Sequence, residues 1–380
     1  MTTYKSIDEA NEAIAQKIIS AQPTLVDVVA AKTVIPELED KLILHAGPPI
    51  AFEDMPDPVQ GAAIGAALFE GWASDEDSAR RVCAEEVRFA PNNDFRAVGA
   101  MGGILSGNLP VFVVENRTDG NRSYTTMHEG EGKVLRFGVY DESVGEHLRW
   151  MRDVLGVALS RALKLLPGGG LAVNPILAQA VAMGDEFHVR NTAASSLVYR
   201  EIGPKLTQAG LPQRDLESVS EFLAGNINFF LTLAMASAKA TLDAAATIRA
   251  GSVVTCLTRN GREFAIRVSG TGDRGSRDPR TSSTRCSSRG SPRMTRARTA
   301  ATAPSSRPTD WVARSPSLPR RCSRWSAPAT GGSRTPWPRA RSRRRSWSPA
   351  TPTCRSRTGT SEACRSGSTS ARSWRRESPR

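Results

Sequence analysis

Apolar and polar positions follow two different periods along this chain, and the places where the period changes divide it into blocks. After Ser6, the spacing of Ala10, Ile14, Ile18 and Ile19 puts apolar side chains on one side of a helix that runs to about Ser20. Ser6-Ile7-Asp8-Glu9 supplies a capping box for its start, and Pro23 closes it. Residues 41–45 (KLILH) read as a short strand ended by Gly47-Pro48-Pro49. Residues 58–73 alternate small residues with Ile64, Leu68 and Phe69, the pattern of a helix packed closely on a sheet, and 76–84 continue helically. The β-rich stretches 87–90, 110–116, 122–127 and 133–139 predict strands.

From residue 143 to about 250 the pattern turns helical, with segments near 143–166, 174–202, 215–223 and 225–250. Pro167-Gly168-Gly169-Gly170 separates the first two, and Gly203-Pro204 is expected to end the second. Residues 252–258 and 263–269 then read as two strands joined at Arg259-Asn260-Gly261-Arg262, where Asn-Gly is a hairpin signal. The expected fold class is therefore α+β. It comprises a mixed α/β domain (1–142), a helical domain (143–250), the start of a second α/β domain (251–274), and a last segment (275–380) of a different character.

Composition changes the picture only when that last segment is set apart. The whole chain of 380 residues carries a net charge of +13, which by itself would suggest an anionic partner. Residues 275–380 hold 25 arginines, no lysine and four acids, which leaves 26 basic and 34 acidic residues for the remainder, a net charge of −8. The basic character thus belongs to the tail. That tail lacks Ile, Phe, Tyr, Asn, Gln, His and Lys, so it cannot bury enough apolar surface to offset the entropy of ordering it, and disorder is expected. It also lacks the repeats of arginine-rich arms that bind RNA. A lost base explains it better. Codons able to encode Gly275 to Ser282 also encode, one base out of register, the globular string Trp-Phe-Thr-Gly-Pro-Ala-Asp-Val.

Only Cys83 and Cys256 lie outside the tail, in no Cys-x-x-Cys spacing, which fits a reducing, cytoplasmic setting. The opening MTTYKSIDEA lacks the regions of a signal peptide, and no apolar run approaches the roughly 20 residues of a membrane span.

Candidate chemistry centres on GDEFHVRN, residues 184–191. At helical spacing from Ile176, both His188 and Asn191 fall inside the apolar sector, where an unsatisfied polar group is costly. Either His188 is a core histidine paired with Asp185, or this edge of the helix lines a polar cavity. The chain has four histidines (45, 128, 147 and 188) and no His-Glu-x-x-His, so no metal site is expected. Glycines 99, 102 and 103 match neither dinucleotide nor phosphate-loop spacing. They either bring backbone N–H groups close to an anion or carbonyl oxygen, or serve tight packing. Arg136, inside a β-rich run, needs a carboxylate or a bound anion. The arginines of the 259–262 turn read equally well as a charged hairpin tip. Neither a Ser-His-Asp nor a Cys-His nucleophile can be assembled from the spacing, so the residues by themselves point to a polar cavity between domains and no further.

Several stretches taken together resemble a known family: HAGPPI (45–50), residues 65–73 ending in GWA, AVGAMGGILS, VVEN (113–116), EGEGKVLRFG (129–138), MGDEFHVRN and TRNGREFAIRVSG. They resemble the bacterial family, formerly of unknown function, that includes the large subunit of oxamate carbamoyltransferase from anaerobic allantoin catabolism. The likeness spans nearly all of residues 1–274, and family members continue with a Trp-Phe pair where the shifted frame restores one.

The resemblance implies an α+β protein with a helical insert that works in an oligomer with companion subunits, with no cofactor, nucleic acid or membrane involved. Its reaction would move a carbamoyl group between oxamate, or a related ureido compound, and phosphate. On that reading His188, Asp185 and Asn191 are the catalytic candidates. Arg190, Arg136 and Arg259 would bind carboxylate or phosphate, with Asn260, Gly102, Gly103, Asn116 and His45 on the substrate side. With its second α/β unit replaced, the chain is expected to be unstable and inactive. Competing readings are a ureido or amide hydrolase, a non-catalytic assembly subunit and, last, an arginine-rich nucleic-acid binder whose affinity would fall steeply with salt.

Overall fold

The computed structural model describes residues 3–100, 102–184, 187–272 and 275–279, which all fall in one unit of the chain, Met1–Pro316. The rest of the arginine-rich tail lies outside the described residues. Helix α1 (Ile7–Ser20) starts at the expected Ser6 cap, whose hydroxyl accepts the Glu9 N–H at 3.1 Å, but the box does not close as expected, because the Glu9 carboxylate takes the Lys5 N–H at 2.6 Å. It leads into a strand that the sequence pattern did not predict, β1 (Pro23–Ala30). A register shift between Leu25 and Asp27 breaks the alternation that would have marked it.

Strand β2 (Leu42–His45) is followed by α2 (Asp57–Phe69), α3 (Glu76–Glu85) and β3 (Arg88–Pro91), which returns parallel to β2. The two-residue β4 (Ile104–Leu105) completes a sheet in the order β3-β2-β4. Strands β5 (Pro110–Asn116) and β6 (Arg122–Thr126) build a second sheet, which β7 (Leu171–Ala172) closes in the order β6-β5-β1-β7. Strand β5 is buried on both faces, which explains its unbroken apolar run. Phe112 and Val114 enter the core formed with the helices, while Val111 and Val113 pack with Leu42, Leu44 and Leu105 of the other sheet.

The helices run as α4 (Glu142–Trp150), a π-turn (Met151–Leu155), α5 (Gly156–Lys164), α6 (Val173–Ala182), α7 (Phe187–Leu206), α8 (Gln213–Gly225) and α9 (Phe229–Ala245). The single helix expected over 174–202 is two, and α7 carries Pro204 inside its last turn instead of stopping before it. Helix α9 lies on β1, β5 and β6, with Phe229 set edge-on to Phe112 at 5.5 Å between ring centres. Its apolar character is that of a core helix, and among the described residues no single helix is long and apolar enough to cross a membrane.

Strands β8 (Val254–Arg259) and β9 (Glu263–Val268) form the expected hairpin, with Gly261 at φ +93° in its turn. Residues 275–279, in the stretch expected to lack structure, form β10 (Gly275–Pro279) antiparallel to β9. Ladder pairing uses backbone groups that every residue but proline carries in full, and the one proline of β10 stands at its end, so tail composition does not prevent it. The expected strand at 133–139 is instead a loop with a 3-10 turn, Leu135–Phe137. The Glu129 carboxylate takes the Leu135 and Arg136 N–H groups, at 2.6 and 3.1 Å, that a ladder would need. Overall, helices cover antiparallel and mixed sheets in an α+β fold.

Candidate functional site

Two polar clusters face openings in this fold. The first is built by the loop between β6 and α4. Glu129 anchors it, since its carboxylate is enclosed and bonded to two backbone N–H groups. That geometry presents the Arg136 guanidinium, whose Nη2 donates to the Gly130 carbonyl at 3.0 Å while Nη1 is buried with no partner among the described residues. The guanidinium also lies over the Phe137 ring, 4.7 Å from its centre. Gly102, at φ +70°, sits so close that a Cβ there would be 2.3 Å from the Arg136 carbonyl oxygen. An opening of about 340 Å³, solvent-connected space included, is lined by Gly103, Thr126, Glu129, Arg136 and Met151. Met151 opens the π-turn, a local widening of the helix that places its side chain here.

Burial sets the protonation of this cluster. It pushes Glu129 above the usual carboxylate range, against the lowering effect of the two backbone bonds and the Arg136 charge. His128 is 4% exposed, and burial first, then the Arg136 charge, pushes its pKa down to about 3. Its Nδ1 accepts the Gly130 N–H at 3.2 Å, which requires the neutral ring. His147 Nε2 donates to the Glu129 carbonyl at 2.9 Å. Asn226 donates to the His128 carbonyl at 2.9 Å, and Asn228 to Glu131 at 2.7 Å. Asn191 joins through its Nδ2, which donates to the Asn228 Oδ1 at 2.8 Å, while its own Oδ1 is buried without a partner among the described residues.

The second cluster lies at the C-terminal ends of the parallel strands β2 and β3. His45 ends β2, with Nδ1 donating to the Ala46 carbonyl at 2.9 Å and Nε2 buried without a partner among the described residues. Asn92 follows β3 and is 4% exposed, and neither atom of its side-chain amide has a partner among the described residues. The β8–β9 hairpin docks over this end. Thr258 Oγ1 accepts the Gly47 N–H at 2.9 Å, and Asn260 Nδ2 donates to the Pro48 carbonyl at 3.0 Å. A Cβ on Gly47, at φ +92°, would be 2.2 Å from the Asn260 nitrogen, so only glycine permits this approach. An ion pair between Arg267 and Asp94 holds the same contact. The opening there, about 570 Å³ with its solvent-connected space, is lined mainly by apolar side chains, together with Asn92, Gly99, Lys239 and Thr258.

The glycine-rich segment links the clusters, since Gly99 abuts the Asn92 amide and Gly102 abuts Arg136. The expected site residues therefore divide. Arg136, Gly102, Gly103 and, through Asn228, Asn191 belong to the first cluster. His45 and Asn260 belong to the second, where the Asn260 Oδ1 also accepts the Arg262 and Glu263 N–H groups at 3.0 and 2.8 Å. Arg259 is half-buried at the end of β8. Asn116 joins neither, because its amide is occupied by the Gln22 and Thr118 N–H groups and by Asp119 in the β5–β6 turn. Asp185 lies outside the described residues, as do the side chains of His188 and Arg190 in the first turn of α7. Asn92, His128 and Glu129 were not anticipated. The one signal for Asn92 was a polar loop directly after a strand. Among the described residues no group of three or more His, Cys, Asp or Glu is placed to hold a metal ion.

Residues 87–283 match the model of a family described as oxamate carbamoyltransferase subunit AllG. The protein of that name from Escherichia coli K12 is 48% identical over 273 residues, 71% of this chain and 65% of the relative. A second protein of that organism, described as uncharacterized protein YahG, is 42% identical over 265 residues, 70% of this chain and 56% of its own length. The matched region thus spans less than two thirds of either relative. A crystal structure of a conserved protein of unknown function from Enterococcus faecalis V583 superposes with a TM-score of 0.70 at 41% identity, covering 73% of this chain and 67% of that one.

Proposed function

The chain belongs to the oxamate carbamoyltransferase subunit AllG family, and from that premise we propose that it is a subunit of a carbamoyl-transferring enzyme in which Arg136 holds the anionic substrate group. The observation that carries this reading is that Arg136 lines an opening while its Nη1 has no partner among the described residues, since a guanidinium edge left without a protein partner suits a carboxylate or phosphate oxygen. In the reaction an oxamate nitrogen attacks the carbonyl carbon of carbamoyl phosphate, a C–N bond forms, the C–O bond to phosphate breaks, and the nitrogen gives up a proton. The reverse step spends phosphate on N-carbamoyl oxamate. Such chemistry rests on holding two anions together and on polarising a carbonyl. Glu129 sets the loop that presents Arg136. His128, held neutral, leaves the positive charge of Arg136 unduplicated at the opening.

Companion subunits complete the enzyme in this proposal, since the Escherichia coli relative is described as a subunit of the carbamoyltransferase. The tail is proposed to be out of frame, and the chain carrying it to be inactive. The test therefore uses the chain with one base restored ahead of the Gly275 codon, assembled with companion subunits. Arg136→Met should lower kcat/KM for phosphate release from carbamoyl phosphate and oxamate by about a hundredfold, the scale of losing one charge-assisted contact in the transition state. Its thermal midpoint should stay close to the parent. Full activity in the variant would overturn the assignment and favour a non-catalytic assembly role. Carbamoyl loss that needs no acceptor would indicate hydrolysis.

A further inference from the structure

We infer that the cavity at the C-terminal ends of β2 and β3 is a binding site for a primary carboxamide or ureido group, recognised by the side-chain amide of Asn92. Asn92 is 4% exposed, and both its Nδ2 and its Oδ1 lack a partner among the described residues. A buried amide with neither group satisfied is costly, so it calls for a partner from outside the chain, and the cavity that Asn92 lines has room for one. The complement is specific. One donor and one acceptor lie side by side in a plane, and a primary amide presents the matching acceptor and donor in the same plane. A carboxylate offers acceptors only and would set an oxygen against Oδ1, while an ammonium offers donors only. The match holds whichever way round the amide is assigned, because exchanging its O and N exchanges the roles of both partners.

The surroundings support a built pocket. A Cβ on Gly99 would lie 2.6 Å from the Asn92 Nδ2, so the glycine leaves room for the amide and fixes its place. Most of the lining is apolar, including Ala46, Val98, Met235 and Leu257, which excludes water from a two-bond amide pair and strengthens it. The cation of the lining, Lys239, is already bonded to Asp243 at 2.6 Å, so its charge is matched inside the protein. The location, beyond the carboxyl ends of parallel strands, is where open α/β sheets form ligand crevices. His45 Nε2, a second unpartnered acceptor, ends the neighbouring strand.

This inference rests on the proposed function and adds to it a second subsite, in the other cluster from Arg136, for the primary amide that oxamate and N-carbamoyl oxamate both carry. Its test reads binding by the full chain without companion subunits or turnover, so the two can fail separately. Oxamate and oxalate, which differ by an amide in place of a carboxylate, are titrated calorimetrically against the parent, Asn92→Leu and Gly99→Ala. Oxamate should bind the parent at least about tenfold more tightly than oxalate, and each variant should lose about tenfold or more of that affinity. Asn92→Leu should unfold at the same or a higher denaturant concentration, because an apolar group replaces an unsatisfied one. Oxamate affinity unchanged in both variants overturns the inference, as does an equal affinity of the parent for oxalate or no oxamate binding at millimolar concentration. If Asn92→Leu unfolds at a lower denaturant concentration than the parent, the amide is a structural group and the inference also fails. If that variant does not fold at all, Gly99→Ala decides, since it crowds the amide without removing it.

Discussion

His128→Asn tests the electrostatic reading of the first cluster most directly. In the folded chain burial and the Arg136 charge hold the ring neutral down to about pH 3, whereas an unfolded chain protonates it near its ordinary value of 6.5. Above pH 6.5 both states are neutral and the group is without effect. As the pH falls, the unfolded state takes up a proton that the folded state refuses, so stability drops. At about 1.4 kcal/mol per unit of difference, the loss reaches roughly 2 kcal/mol by pH 5, approaching ~5 kcal/mol near pH 3. Asparagine keeps an oxygen near the Nδ1 position to accept the Gly130 N–H and does not titrate. Urea unfolding at pH 7.5 and pH 5 should therefore cost the parent about 2 kcal/mol more than the variant over that interval. His45, whose pKa burial also lowers, and Glu129, shifted the other way, contribute to both chains and drop out of the difference. Equal losses in parent and variant would refute the claim that His128 is buried and neutral.

Gly102→Ala forces a side chain into φ +70° and brings a Cβ to 2.3 Å from the Arg136 carbonyl, so it should lower unfolding stability by at least about 2 kcal/mol, and an unchanged urea midpoint would contradict that packing. The Ser195 hydroxyl, 5% exposed, donates to the Ile227 carbonyl and accepts the Phe230 N–H, both at 3.1 Å. Ser195→Ala should cost roughly 1 to 3 kcal/mol through the orphaned groups, and a loss well below that would mean that they find other partners. Burial pushes the Cys83 thiol up to about 12, so peptide mapping after alkylation at pH 8 should find it unmodified in the folded chain and modified in guanidinium. Restoring one base ahead of the Gly275 codon should raise the urea midpoint by completing the second α/β unit, and an unchanged midpoint would count against the out-of-frame reading of the tail.

What could be read from the sequence followed from local chemistry. The Ser6 cap, the doubly apolar β5 and the Asn260-Gly261 hairpin carry their structural instruction in neighbouring residues, and each stands where it was expected. Strand β1 escaped notice because its register shift hides a period of two, although it is one of the two inner strands of its sheet. The 133–139 stretch misled because its β-rich composition says nothing of the Glu129 carboxylate that captures its N–H groups. Of the site, Arg136 was legible as a charge inside an apolar run. Asn92 was not, because its isolation depends on β2 and β3 running parallel and on a hairpin more than 150 residues away closing over them.

The bonds that roof the second cluster join residues 211 and 212 positions apart, Gly47 to Thr258 and Pro48 to Asn260. Closing a loop of that length costs conformational entropy before any contact repays it, so the roof forms late and only when nearly all described residues are already in place. For a chain made from its N-terminus, ligand binding in that cavity is then a report that synthesis has passed Asn260. The same bonds make the hairpin the first element expected to open under mild denaturant, and hydrogen exchange at the Gly47 amide would register that opening before the sheets around β5 respond.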